Sequence, residues 1–278
     1  MTPTPENPEP RAGRRKRRTR SEGRAFTALL PHLLTTANLA AGFYAVLKAG
    51  EGEFDRAAIA LFFAAVFDGL DGRVARMARA TSRFGVEYDS IADTVSFGVA
   101  PAVLAFNAGS YFELGWTGWV MAFIYMACAA LRLARFNVSP GRFEGRFEGL
   151  PSPAAAGVVL SWVLFSGWLS ENGIVLGVPA TLSALGLASL GILMVSPIPY
   201  RNFKDLRLRG SYWNIVWMVI GSTVILMRPE HTFLLIATTY LFSGPFEIYW
   251  RRRTGSDLES IQPQKGEGSP AAPGDRDE

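Results

Sequence analysis

The feature that most restricts this chain is a series of uninterrupted apolar segments, among them AAIALFFAAVF (57–67), VMAFIYMACAAL (120–131) and TLSALGLASLGILMV (181–195). They are more uniformly apolar than the helices of a soluble domain, whose outer face must stay polar. About 20 such residues cross the hydrocarbon core of a bilayer, and a helix satisfies every backbone hydrogen bond within its own segment. The pattern predicts an all-α, polytopic integral membrane helical bundle with eight transmembrane helices, near 29–48, 55–76, 90–111, 116–135, 153–170, 175–197, 212–228 and 231–250. The mean hydropathy of +0.16 understates this, because charge is gathered at the chain ends and in short links.

The links alternate in sign. One set is basic: the N-terminal run RRKRRTR (14–20), Arg76–Arg83, Arg132–Arg146, Arg201–Arg209 and Arg251–Arg253. The other set comprises EGEFD (51–55), the stretch around Glu113, residues 170–172 and residues 228–231. The positive-inside rule assigns the basic set to the cytoplasm, which predicts a multi-pass protein of the cell membrane with both termini cytoplasmic. Residues 1–24 read as a disordered basic tail resting on anionic lipid, with no nucleic-acid partner. Residues 25–253 read as the membrane-embedded domain, which the acidic stretch described next makes the catalytic one, and 254–278, rich in Gly, Pro and charge, as a second disordered tail. A single cysteine, Cys128, leaves no intrachain disulfide, and two histidines argue against a histidine-rich zinc site.

Against this apolar background stand four carboxylates in one stretch, Asp68, Asp71, Asp89 and Asp93. The first two are three apart and the last two four apart, so each pair projects from one face if its segment is helical. Unpaired charge is costly in a low-dielectric site, and four like charges demand cations. An all-oxygen donor set suits Mg2+ or Mn2+, most simply as two divalent ions. Gly72 and Gly85 flank the acids and either let a ligand approach the backbone or let helices pack. Arg76 shares a face with Gly72 and either pairs with an Asp or holds a phosphate.

Taken together, Asp68-x2-Asp71-Gly72-x2-Ala75-Arg76-x8-Gly85-x3-Asp89-x3-Asp93 resembles the signature D-x2-D-G-x2-A-R-x8-G-x3-D-x3-D of the CDP-alcohol phosphotransferases, at every position and spacing. The resemblance implies a membrane enzyme with a six-helix catalytic core, a homodimer that moves the phosphatidyl group of CDP-diacylglycerol to an alcohol and releases CMP, while the basic links put its acidic cluster at the cytoplasmic boundary. It makes Asp68, Asp71 and Asp89 ligands of a divalent pair. By the same resemblance Asp93 would complete the metal cluster and serve as general base for the acceptor hydroxyl. Gly72, Arg76 and Gly85 would line the CDP-lipid pocket. Thr35 and Asn38, polar on an apolar segment, would contact nucleotide or metal, or bond across helices.

Three further stretches resemble the bacterial branch of this family that uses L-serine: LPHLLTTAN (30–38), LRLARFN (131–137) and GLPSPAAA (149–156). His32 departs from the branch pattern, which carries Asn there. A serine acceptor needs a carboxylate clamp, for which Arg132, Arg135 and Asn137 are candidates; the same residues would serve equally as positive-inside charges on lipid phosphate. Glu144 and Glu148, in two Phe-Glu-Gly repeats, belong to a link suited to admitting the acceptor. Other readings are a family member with a glycerol 3-phosphate, inositol phosphate or choline acceptor, a membrane prenyltransferase, and an ion-coupled transporter. Prenyltransferases carry their two acidic motifs far apart, whereas both lie within 26 residues here. The later half of the chain holds no second acidic constellation of the kind a transporter path would need.

Overall fold

Within the described residues, each long apolar segment becomes a helix. The structure, a computed structural model, describes residues 12–78, 82–138, 146–174, 176–201 and 228–254. Within them run α1 (Ala12–Gly50), α2 (Phe54–Ala78), α3 (Arg83–Asp93), a π-helical turn (Thr94–Val99) and α4 (Ala100–Ala108). A 3-10 turn (Tyr111–Leu114), α5 (Trp116–Val138), β1 (Arg146–Glu148), α6 (Ser152–Glu171), α7 (Ala180–Val195), β2 (Pro199–Arg201) and α8 (Pro229–Thr254) follow.

Among the described residues, four stretches are long and apolar enough to cross a membrane: Leu30–Gly50, Arg83–Ala108, Trp116–Val138 and Ser152–Glu171. The protein is therefore a largely helical membrane protein. The helix α2 is long enough but carries six charged residues along Phe54–Ala78, while α7 has only 16 residues. The expected span at 212–228 and the tail beyond 254 lie outside the described residues. At the other end, α1 begins at Ala12, inside the stretch expected to be an irregular tail; Arg and Lys are good helix formers, and the apolar continuation carries the helix forward. The third segment also starts earlier than expected, at Arg83, because Ser82 caps it: its Oγ accepts the Gly85 backbone N–H at 3.0 Å.

Small residues let the helices close. Ala45 and Ala49 of α1, Ala57, Ala58 and Leu61 of α2, Ala100 and Leu104 of α4, and Leu160 and Val163 of α6 form one buried cluster. Alanine faces bring backbones near each other, which is how helices gain contact where lipid removes the usual hydrophobic driving force. A second cluster, including Tyr125, Leu150, Val159, Leu187, Met194 and Tyr200, joins α5, α6, α7 and β2.

The third segment is not a uniform helix. Pro101 has no N–H to offer the Phe97 carbonyl, and its ring crowds that carbonyl, so the ladder loosens just before it. The Tyr125 hydroxyl, fully buried on α5, donates to the Phe97 carbonyl at 3.2 Å instead. On the other side of the turn, the Ser96 hydroxyl donates to the backbone carbonyl of Asn38 at 3.0 Å. That approach needs Gly42: a Cβ there would stand 2.2 Å from Ser96 Oγ and 2.8 Å from Ser96 Cα.

Beyond α5 the chain is strapped down. β1 pairs antiparallel with β2, Arg146 opposite Arg201 and Glu148 opposite Pro199. Gly149 follows at φ +75°, where a Cβ would collide with the Met194 carbonyl at 2.1 Å. The strap thus fixes the start of α6 against the end of α7.

The expected effect of Gly42→Ala is a forced separation of α1 from the π turn. Overpacking of this kind costs about 1–3 kcal/mol, so the variant should melt at lower temperature than the parent in detergent, and Ser96→Gly in the same background should recover part of the loss.

Candidate active site

The placement of α2 and α3 brings carboxylates from both helices together. One carboxylate oxygen from each of Asp68, Asp71 and Asp89 lies within 4.8 Å of the other two. Asp71 is buried, while Asp68 and Asp89 are half-buried. Asp93, one helical turn beyond Asp89, is also buried and within electrostatic reach of Asp68, Asp89 and Asp71. Among the described residues, none of the four makes an ion pair with Lys or Arg.

The first helix orients two of these acids. Thr35 Oγ1 donates to Asp71 Oδ2 at 3.0 Å, and Asn38 Nδ2 donates to Asp93 Oδ1 at 3.0 Å. Thr35 and Asn38 are three apart on α1, so both face the acidic helices, and both are buried. Of the two readings open to them, bonding across helices is what the geometry shows.

The donor set suits a hard divalent cation. Three carboxylates converge, and Asp89 Oδ1 is buried with no hydrogen-bond partner among the described residues. An acceptor left bare in a buried site is costly, and a cation would satisfy it. Asp93 stands beside the trio rather than within it, with one oxygen already taken by Asn38.

The two glycines have different surroundings. At Gly72 a Cβ would find only Arg76 Nη1, at 3.6 Å, so the exposed Arg76 folds back over an open backbone. At Gly85 a Cβ would meet His32 Cε1 at 3.0 Å and Ser82 Oγ at 3.1 Å. His32 therefore packs on the first turn of α3, with its ring edge-on to Phe84 at 6.0 Å. This gives the unusual histidine a packing contact.

The three acceptor candidates part company. Arg135 pairs with Glu148, at the strap, and Asn137 Nδ2 donates to Ser90 Oγ at 2.9 Å. Both are exposed. Arg132 points the other way: its Nη1 donates to Ser152 Oγ at 3.3 Å, its Nε is buried without a partner among the described residues, and its electrostatic neighbours are Tyr240 and Asp93. Glu144 lies outside the described residues.

Ser152 and Tyr240 are site neighbours to which the sequence assigned no role of their own. Ser152 stands between two prolines at the start of α6, inside a stretch already singled out as GLPSPAAA, so a signal was present. Tyr240 has no local signal. It reaches the site because its ring packs against Tyr200 of β2, with centroids 5.6 Å apart, and Tyr200 itself seats on Gly244.

Comparison with known proteins adds an independent line. Residues 28–188 match the family described as CDP-alcohol phosphatidyltransferase. A CDP-diacylglycerol–serine O-phosphatidyltransferase of Helicobacter pylori is 34% identical over 220 residues, which cover 78% of this chain and 89% of the relative. The Bacillus subtilis protein of the same description is 34% identical over 188 residues, covering 66% and 98%. An archaetidylserine synthase of Methanothermobacter thermautotrophicus is 36% identical over 176 residues, covering 62% and 69%.

Loss of a residue that merely orients a metal ligand typically costs about 10–100-fold in metal affinity. Asp68→Ala, Asp71→Ala and Asp89→Ala should each weaken Mn2+ binding by at least that much, and Thr35→Val by about tenfold. Electron paramagnetic resonance titration of free Mn2+ against the purified variants checks both.

Proposed function

The chain belongs to the CDP-alcohol phosphatidyltransferase family, and from that premise we propose that it transfers the phosphatidyl group of CDP-diacylglycerol to the hydroxyl of L-serine, releasing CMP. The observation that carries the choice of acceptor is the position of Arg132. The Arg132 guanidinium, half-buried with its Nε fully covered, lies within electrostatic reach of Asp93, which offers a cation for a carboxylate near a carboxylate for a hydroxyl. An amino acid bearing a hydroxyl has both groups. The names of the relatives support the same choice: the bacterial ones specify serine, and the archaeal one, named for a different lipid, still specifies serine.

In this reading Asp68, Asp71 and Asp89 hold one or two divalent ions, Mg2+ or Mn2+. Such an ion would neutralise the diphosphate and the oxygen that leaves with CMP. Thr35 keeps Asp71 turned toward the other two carboxylates. The open backbone at Gly72 lets the nucleotide lie close, and Arg76 beside it takes a phosphate oxygen. Gly85 shapes the same pocket by admitting His32.

Asp93 accepts the proton of the acceptor hydroxyl. The hydroxyl oxygen forms a bond to the lipid-bearing phosphorus, the bond from that phosphorus to the CMP oxygen breaks, and CMP departs with the electron pair. Asn38 fixes the base by holding one of its oxygens, which leaves the other for the hydroxyl. Arg132 seats the acceptor carboxylate, while Arg135 and Asn137 hold the rim through Glu148 and Ser90.

The wider arrangement we propose is that of a multi-pass protein of the cytoplasmic membrane, with eight spans around a six-helix catalytic core. Both termini and the acidic cluster face the cytoplasm, and the protein works as a homodimer. The supporting pattern is that the links at the acidic end of the helices carry the basic residues. A soluble amino acid and a membrane-bound nucleotide lipid meet at that boundary.

Purified protein given CDP-diacylglycerol and Mn2+ should form CMP and the serine-bearing lipid with L-serine, and little or nothing with glycerol 3-phosphate, inositol phosphate or choline. Product from one of those alcohols and none from serine would move the acceptor assignment. Asp93→Asn should retain CDP-diacylglycerol binding and lose turnover by about 100-fold or more, the usual range for a general base; near-parental turnover would remove Asp93 from that role.

A further inference from the structure

Two buried polar atoms, one on the residue that bonds Asp93 and one on a residue within its electrostatic reach, lack partners among the described residues, and they are of opposite kind. Asn38 Oδ1 is an acceptor and Arg132 Nε is a donor. The orientation of the Asn38 amide follows from chemistry: a carboxylate can only accept, so the NH2 must face Asp93 and the oxygen must face away from it. Arg132 is equally fixed, because Nη1 is held by Ser152 on α6 and the guanidinium lies in the field of Asp93 and Tyr240. A buried group left unpaired in this way is expensive unless a ligand completes it. The third unpartnered atom, Asp89 Oδ1, belongs to the three-carboxylate cluster and is accounted for there.

We propose that Asn38 Oδ1 and Arg132 Nε read the two charged groups of the acceptor, the amide oxygen taking its ammonium and the guanidinium its carboxylate, while the hydroxyl faces Asp93. The inference rests on the reading of an amino acid as acceptor and assigns its recognition. A phosphate would complement Arg132 but not the bare oxygen of Asn38, and a choline head would complement neither donor nor acceptor by hydrogen bonding. A zwitterion is the ligand whose two ends match both atoms. Asn38 then has two duties, one per end of its amide: it positions the base and it identifies the nucleophile. Ser152 is a positioning residue that holds the guanidinium by its Nη1 edge and leaves Nε free.

The test uses the full-length protein in detergent with Mn2+ and CDP-diacylglycerol, and reads affinity as the ligand-induced shift in melting temperature, so that a variant without turnover still reports. The ligands are L-serine, ethanolamine, which lacks the carboxylate, and 3-hydroxypropionate, which lacks the ammonium. Asn38→Ala should weaken L-serine and ethanolamine by about tenfold or more, the size expected for a hydrogen bond to a charged group, and move 3-hydroxypropionate by less than about twofold. Arg132→Gln should do the reverse, weakening L-serine and 3-hydroxypropionate and sparing ethanolamine. Ser152→Ala should follow Arg132→Gln in pattern at smaller size, with serine KM rising more than kcat falls.

Equal losses for all three ligands in Asn38→Ala would overturn the proposal and leave Asn38 as a support for Asp93 alone. Weakened CDP-diacylglycerol binding in the same variant would overturn it too, by assigning the oxygen to the metal or nucleotide. If the parent protein binds no serine but does bind another alcohol, the acceptor reading itself fails, which is a separate result from either of these.

Discussion

Like-charge repulsion confined at low dielectric is the constraint on which the acidic end of this molecule depends. Four carboxylates from two helices share one end of a membrane bundle, and no basic side chain among the described residues pairs with any of them. Three converge on a common point within 4.8 Å. A fold cannot hold such a group by attraction among its members, so the surrounding structure must hold it. The first helix does so, through Thr35 on Asp71 and Asn38 on Asp93. The alanine faces of α1 and α2 and the missing side chain at Gly42 bring that helix close enough to act. The same repulsion makes the site receptive to divalent cations, since a bound ion turns the least favourable contact in the structure into a favourable one.

Much of this was legible in the sequence because charge is rare among apolar segments and its spacing maps directly onto helix faces. Asp68 with Asp71 and Asp89 with Asp93 needed only helical periodicity to be paired, and the placement of α2 beside α3 brought the pairs together. Thr35 and Asn38 were visible as polar residues on an apolar helix, but their partners were not, because a hydrogen bond between helices depends on rotation and depth that periodicity leaves open. The start of the third segment at Arg83 was missed for a local reason: Ser82 caps a helix whose first turns are too polar to read as part of a span.

The acceptor side was harder to read. Arg132, Arg135 and Asn137 look alike in sequence, three polar residues within two turns at a basic helix end. Their fates diverge through contacts made far along the chain. Arg135 is drawn off by Glu148 and Asn137 by Ser90, while Arg132 turns inward against Ser152 and toward Tyr240. None of those partners is predictable from local pattern, since each comes from a different element. Tyr240 in particular enters only because β2 carries Tyr200 to α8.

The π turn between α3 and α4 has a consequence for how such a chain can change. One residue beyond the regular repeat rotates everything after it by about 100°. Below the turn, the helix face is dictated by where Asp89 and Asp93 must point. Above it, the face is dictated by what packs on the alanines of α1, α2 and α6, through Ala100 and Leu104. Without the extra residue a single rotation would have to serve both ends of the segment. With it, the apolar half of the helix can be adjusted to membrane thickness or to neighbouring helices while the angular setting of the carboxylates stays as it is. Chemistry and membrane fit are thereby made separately adjustable along one continuous segment.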